Sequence, residues 1–298
     1  MISSDHPFRD SVRAAGGVPA RAAQRALGAI LVDAGRLDAA ATASILERQR
    51  AYGLRFGQAG ISLGLLTDAD VALGLARQFD FPYLLEGASA LADELVLAYQ
   101  PFAEQAEAVR VLRSELLQRW FGARGQHALA ITSAAPQEGR SFLAANLAIA
   151  FSQLGKRTLL IDADLRAPRQ QALFGLPDSM GLSALLSGRA GLEVIAPIPG
   201  LLDLSVLAAG MLPPNPSELL ARATFAQLLA HLGEHYDVVL IDTPPALHSV
   251  DARSVAARAG AAVVVARQDS SALDAVTGLA ATMGQSGVAV LGAVLNAF

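Results

Sequence analysis

Five short apolar runs constrain this chain more than any other feature. They read Ala128-Leu129-Ala130-Ile131, Thr158-Leu159-Leu160-Ile161, Val238-Val239-Leu240-Ile241, Ala262-Val263-Val264-Val265 and Val288-Ala289-Val290-Leu291. Stretches of helical periodicity separate them, such as Glu218 to His231 and Ala272 to Met283. A strand apolar on both faces must be covered on both, and parallel strands need a crossover between them. The pattern predicts an α/β fold, a mostly parallel sheet with helices on both faces. Function in such sheets collects at the carboxyl ends of the strands.

Composition narrows the class further. The chain has 298 residues, of which 53% are hydrophobic, enough to bury a core and too many for a disordered chain. Mean hydropathy is high, +0.39. No run approaches the ~18 uncharged apolar residues of a spanning helix, so no membrane span is expected. The net charge of −4 gives no global field for nucleic acid or anionic lipid, and no nucleic-acid partner is expected. The absence of Cys excludes a disulfide scaffold, a thiolate zinc site and a Cys nucleophile. Residues 1–23 lack the apolar segment of a secretion signal and read as a flexible arm of a cytoplasmic protein.

A repeat follows the arm. Gly28 and Gly57, Gly35 and Gly64, and Gln49 and Gln78 share one offset of 29 residues. Each unit reads as a short helix stopped by Gly, then a second helix starting near Asp38 or Thr67. This predicts a small helical domain over residues 24–85, a connector over 86–103 and a second domain over 104–298.

The first apolar run leads into Ser133-Ala134-Ala135-Pro136-Gln137-Glu138-Gly139-Arg140-Ser141, followed by a helix from Phe142. A phosphate loop joins a strand to a helix N-terminus through a tight turn of backbone N–H groups. Lys neutralises the β and γ oxygens, and Ser or Thr holds Mg²⁺. Gly139 and Ser141 fit; Arg140 stands at the Lys position and Ala134 at the leading Gly. Read alone, the segment fits an ordinary strand-to-helix turn as well. The second run ends in Asp162 and Asp164, two carboxylates at i and i+2. Asp242 ends the third run, before Thr243-Pro244-Pro245. Three acids at adjacent strand ends, opposite a phosphate loop, make a Mg²⁺–nucleotide site.

The second half resembles the bacterial tyrosine kinases of capsule and exopolysaccharide assembly, which share the P-loop NTPase fold. The likeness covers about residues 104–296. It includes Glu107-Ala108-Val109-Arg110-Val111-Leu112-Arg113, the phosphate loop, Asp162-Ala163-Asp164-Leu165-Arg166-Ala167-Pro168, Asp242-Thr243-Pro244-Pro245 and Leu291-Gly292-Ala293-Val294-Leu295-Asn296. With the front domain, the chain resembles the exopolysaccharide chain-length-determinant tyrosine kinase subfamily. The resemblance implies a Mg-ATP-dependent kinase regulating polysaccharide chain length and export. Ala135, Pro136, Gln137, Glu138, Gly139, Arg140, Ser141 and Phe142 would bind ATP; Ser141, Asp162, Asp164 and Asp242 would serve Mg²⁺. Asp164, Asp162 and Arg140 would be catalytic. Glu107, Arg110 and Arg113 would contact a neighbouring copy in a homo-oligomer; without the family they read as a solvated charged stripe. The implied partner is the cytoplasmic tail of an inner-membrane chain-length regulator, which would hold the protein at the membrane periphery.

Two departures matter. Arg140 keeps the charge but not the compact ammonium, so nucleotide binding is expected to survive with turnover lowered, and Arg140→Lys is expected to raise phosphoryl transfer. The family phosphorylates a C-terminal tyrosine cluster, whereas Tyr52, Tyr83, Tyr99 and Tyr236 do not cluster and the sequence stops at Phe298. Self-phosphorylation of a tail is therefore not expected, and the protein substrate is left open. A nucleotide-loaded scaffold with little turnover is the alternative function. A partitioning-type ATPase is another, lowered because Ser133-Ala134-Ala135 offers no extra Lys.

The front repeat resembles the N-terminal domain of type II secretion and pilus ATPases, some of which bind cyclic di-GMP. Arg25, Gly28, Gly35, Arg55, Gly57 and Gly64 are the candidate contacts, with a partner-docking module as the other reading. Gly60 stands where that pattern has an apolar residue. Finally, His231-Leu232-Gly233-Glu234-His235 spells a zinc-peptidase motif, but Gly233 inside it, the strand that follows at Tyr236 and the lack of a third ligand read instead as a frayed polar helix end.

Overall fold

The computed structural model describes residues 26–78, 84, 89–123, 125–247 and 249–297. Arg25, Tyr83, His248 and the expected arm lie outside the described residues. The chain divides into two compact units, Met1–Phe81 and Pro82–Phe298.

Among the described residues, the front unit holds four helices: α1 (Leu27–Asp33), α2 (Ala39–Tyr52), α3 (Phe56–Ser62) and α4 (Asp68–Gln78). The repeat is visible in its turns. Gly35 and Gly64 both take left-handed φ, +67° and +66°. Each lets the next residue reach back across the helix end: Arg36 N–H donates to the Leu31 carbonyl at 2.9 Å, and Leu65 N–H to that of Gly60 at 3.0 Å. Asp38 caps α2 by accepting from Ala41 N–H at 2.7 Å. Thr67 and Asp70 cap α4 reciprocally.

Packing explains why the two repeat units differ. Leu31 and Gly60 are equivalent at the offset of 29, as are Ile45 and Gly74. A Cβ on Gly74 would fall 2.3 Å from Leu27 Cδ1 and 3.2 Å from Leu31 Cδ2; one on Gly60 would fall 2.5 Å from Leu66 Cδ1 and 3.2 Å from Ile45 Cδ1. Each large residue of the first unit therefore sits over the glycine of the second. Gly60, out of place in the sequence pattern, makes room for Ile45 and Leu66.

The second unit is built on a seven-stranded sheet: β1 (Ala128–Ser133), β2 (Thr158–Asp162), β3 (Ala196–Pro197), β4 (Leu204–Leu207), β5 (Val238–Asp242), β6 (Ala261–Arg267) and β7 (Ala289–Asn296). The order is β3-β4-β2-β5-β1-β6-β7, parallel throughout except for the short edge pair β3–β4. Side chains alternate between two cores, as the period-2 pleat requires. Leu129, Ile131, Leu160, Leu240, Val263 and Val265 face one core, whose helices include α6 (Glu104–Leu116) and α7 (Arg140–Ser152). Ala130, Leu159, Ile161, Val239, Ile241 and Val264 face the other. That second layer includes α11 (Ala223–His235), α12 (Asp251–Ala259) and α13 (Leu273–Gln285). Two-sided burial accounts for the high hydropathy. Among the described residues, no helix is long and apolar enough to cross a membrane.

Three details differ from the sequence expectation. The pattern from Glu218 to His231 is two helices, α10 (Pro216–Ala221) and α11, separated at Arg222, whose ψ of 151° is extended. Helix α11 runs unbroken through His235, so Gly233 does not loosen its end. Residues 89–103, expected as a connector, belong to the core. Leu95, Leu97 and Ala98 are fully buried, and the strap includes the short helix α5 (Val96–Tyr99). Asn146 on α7 stitches it down: its Oδ1 accepts from Leu97 N–H at 3.1 Å, and its Nδ2 donates to the Glu94 carbonyl at 3.1 Å. Gln153 adds a bond to the Leu97 carbonyl at 2.8 Å. Helix α8 (Gln170–Leu173) and α9 (Leu182–Leu186) fill the crossover after β2.

Candidate nucleotide site

The phosphate loop leaves β1 at Ser133 and enters α7 at Arg140. Its turn uses two left-handed residues, Gln137 at φ +61° and Gly139 at φ +92°. Such conformations turn successive N–H groups into one concavity, an anion-binding shape at a helix N-terminus. Pro136 supplies no N–H. Glu138 is buried, and its carboxylate accepts from Ala135 N–H at 2.7 Å and from the Ser271 hydroxyl. Asn296, at the end of β7, donates to the Glu138 carbonyl at 3.3 Å. The loop is thus tied internally and to the ends of its neighbours. Phe142 and Asn296 line a cavity of about 430 Å³ beside the loop, bounded by Val109 and Leu112 of α6.

Arg140 does not reach into solvent; it is 8% exposed. Its Nε donates to the Thr243 carbonyl at 2.8 Å. One terminal nitrogen donates to the Ala135 carbonyl at 2.9 Å and to Ser133 Oγ; the other lies 3.9 Å from Asp164. Ser133 Oγ in turn donates to the Ala135 carbonyl at 2.7 Å. A guanidinium has five donors in a fixed fork, whereas an ammonium is a compact point charge. This cradle of oxygens matches the fork.

Two of the three carboxylates, Asp164 and Asp242, feel this cation. Asp162 and Asp242 are paired in register on β2 and β5, and both are fully buried. Asp162 accepts from the N–H groups of Asp164, Arg169 and Gln170 at 2.9–3.1 Å. Asp164 accepts from Arg166 and Ala167 N–H. Asp242 Oδ2 accepts from Gln170 Nε2 at 2.8 Å, and the nearby Ser141 hydroxyl favours the ionised form of this carboxylate. Burial, then the charge of Asp242, pushes the Asp162 carboxyl well above the usual range. Burial raises Asp242 to about 6, partly offset by Ser141, Gln170 and Arg140.

These groups fit Mg²⁺. Asp242 Oδ1 is buried with no hydrogen-bond partner, a cost normally avoided. It stands with a hydroxyl and two further carboxylates, the hard oxygen donors that Mg²⁺ takes.

Several contacts within the site carry no sequence signal. Ser133, the Thr243 carbonyl and Gln170, which also donates to the Ser141 carbonyl at 3.1 Å, were not singled out. On α6, Glu107 is exposed and pairs with Arg110 at 3.1 Å. Arg110 also donates to the Pro101 carbonyl. Arg113 turns inward and donates to the Ala150 carbonyl at 2.9 Å. In the front unit, Gly28 and Gly57 face Phe56 and Val71 so closely that a Cβ would collide at 2.9 and 2.7 Å. Arg55 is exposed at the start of α3.

Fold and site together define a P-loop nucleotide-binding protein. Residues 124–297 match the family described as "ParA: NUBPL iron-transfer P-loop NTPase". The tyrosine-protein kinase wzc of Salmonella typhimurium is 36% identical over 203 residues, 68% of this chain and 28% of that protein. The putative tyrosine-protein kinase CapB of Staphylococcus aureus is 36% identical over 198 residues, 66% of this chain and 86% of that protein. The solved kinase domain of the Escherichia coli tyrosine kinase ETK superposes with a TM-score of 0.66 at 34% identity, covering 71% of this chain and 82% of that structure. The chain belongs to the family of bacterial P-loop tyrosine kinases.

Proposed function

We propose that this protein is a Mg-ATP-dependent protein tyrosine kinase that regulates exopolysaccharide chain length and export. One observation carries the reading: Asp242 Oδ1, buried without a partner, sits in a cluster of three carboxylates beside the buried Arg140. ATP phosphates would lie in the concavity of loop N–H groups, and Arg140 would neutralise them. Ser141 and Asp242 would hold Mg²⁺, which supplies charge neutralisation at the transferred phosphoryl group. Asp164 would receive the tyrosine hydroxyl. Its carboxylate lies 3.9 Å from Arg140, which aims it toward the loop where a proton acceptor is needed. Catalysis of this kind is mostly positioning and charge stabilisation.

The cradle bears on the Arg-for-Lys exchange. Ser133, Ala135 and Thr243 hold the guanidinium in a way that an ammonium could not reproduce with all three oxygens. This supports Arg140 as the working cation of its own loop, and favours a reading in which Lys at this position lowers activity.

The partner is a membrane-bound chain-length regulator whose cytoplasmic segment completes the site, and the working form is a homo-oligomer joined through Glu107, Arg110 and Arg113. The glycines of the front unit already have packing and turn roles, which favours partner docking there. Titration with cyclic di-GMP separates the readings: a saturable signal lost in Arg55→Ala assigns the ligand. The main test is labelled Mg-ATP with the regulator's cytoplasmic segment. Phosphotyrosine that disappears in Asp164→Asn supports the proposal; ATP binding with no phosphotyrosine overturns it.

A further inference from the structure

Helix α11 carries metal-binding side chains that phosphoryl transfer does not use. His231, Glu234 and His235 fall at i, i+3 and i+4, so they share one face of the last turn. The turn is intact, and Gly233 has a packing reason: a Cβ there would fall 3.0 Å from Cδ2 of His127. One ligand atom from each of the three residues lies within 4.8 Å of the others. The two rings stand 4.7 Å apart, and His231 Nδ1 lies 3.9 Å from the Glu234 carboxylate. His235 Nδ1 is 3.1 Å from the His231 carbonyl. Donating there, it leaves Nε2 with a free lone pair, the arrangement usual for a metal-ligating histidine.

The surroundings favour a cation. A helix C-terminus carries partial negative charge. Both histidines line a cavity of about 510 Å³ whose wall also includes Asp203, Tyr236 and Arg157, the last paired with Asp237 at 2.8 Å. This cavity lies at the amino ends of β2, β4 and β5. Tyr236 and Asp242 stand six positions apart along extended chain, roughly 20 Å at about 3.3 Å per residue. The cluster is therefore distinct from the acidic site.

We propose that His231, Glu234 and His235 bind a divalent transition ion of the zinc class. Two imidazole nitrogens and one carboxylate suit Zn²⁺, Ni²⁺ or Cu²⁺ and disfavour Mg²⁺. Ligand atoms about 2.0–2.2 Å from a tetrahedral ion stand roughly 3.3 Å apart. Rotation of these exposed side chains closes the remaining gap. Three protein ligands leave one position for water or a donor in the cavity.

The test is calorimetric titration of the full chain with zinc chloride, in millimolar Mg²⁺ so that the acidic site is occupied. Wild type is expected to take up one equivalent. His231→Ala and His235→Ala should each weaken binding by about tenfold or more, since even outer-shell partners cost that much. Both variants should retain wild-type ATP affinity, which reports intact folding. Zinc uptake unchanged in both variants, or none in wild type, overturns the proposal.

Discussion

Removing the charge of Asp242 should stabilise the protein while abolishing its function. The carboxyl is fully buried, one of its oxygens has no partner, and burial raises it to about 6 from the ordinary 3.8. A folded state that binds the proton more tightly than the unfolded chain gains stability as pH falls. The penalty for holding the charge is thus fully present above pH 6 and fades toward pH 4. Its size is on the order of 3 kcal/mol, at 1.36 kcal/mol per pKa unit. Asn keeps an oxygen for Gln170 and Ser141 but carries no charge. Urea denaturation of the ligand-free Asp242→Asn protein at pH 7.5 should therefore show a gain of about 1–3 kcal/mol. The gain should shrink at pH 4.5, where wild-type Asp242 is itself protonated in the folded state. Mg²⁺-dependent ATP binding should be lost in the same variant. A loss of stability at pH 7.5, or an equal gain at both pH values, would refute the reasoning.

Other perturbations test other parts of the structure. Arg140→Lys should weaken ATP binding by about tenfold, the equivalent of one charge-assisted bond of ~1.4 kcal/mol; calorimetry showing equal or tighter binding would mean the oxygen cradle is not tuned to a guanidinium. Ser133→Ala should lower ATP affinity in the Arg140 protein and have little further effect in Arg140→Lys, a coupling measurable as a double-mutant cycle. Gly60→Leu restores the apolar residue of the repeat pattern but overfills the space held by Ile45 and Leu66, so the melting transition should fall by an amount equivalent to about 1–3 kcal/mol; an unchanged transition would exclude that packing. Asn146→Ala strands the Leu97 N–H and the Glu94 carbonyl and should cost about 2–4 kcal/mol in denaturation experiments.

Residue type alone revealed much of this molecule where local chemistry dominates. Apolar runs announce parallel strands, and β1, β2, β5, β6 and β7 lie where those runs fall; the first four are buried on both faces, whereas β7, at the sheet edge, stays partly exposed. The edge strand β3 and its neighbour β4 are two and four residues long, too short to leave a periodic signal. The helix over Glu218 to His231 was visible, but its break at Arg222 was not, because the apolar pattern continues through it. Residues 89–103 looked like a connector because their burial depends on Asn146 and Gln153, some 50 residues away. At the site, the three acids and the phosphate loop announced themselves through position at strand ends. Gln170 and the Thr243 carbonyl did not, since a backbone oxygen leaves no mark on composition and one glutamine is ordinary. Arg140 is the sharpest case. Its sequence shows a departure from Lys, and only the oxygens around it show what the departure fits.

The central claim is that the acidic site transfers phosphate to tyrosine rather than to water. It is tested most directly by following the labelled γ-phosphate of Mg-ATP on the full chain in the presence of the regulator's cytoplasmic segment. Label appearing in phosphotyrosine in step with ADP, and absent in Asp164→Asn, is the predicted result. Label released only as free phosphate, at a rate raised by DNA or lipid, would contradict it.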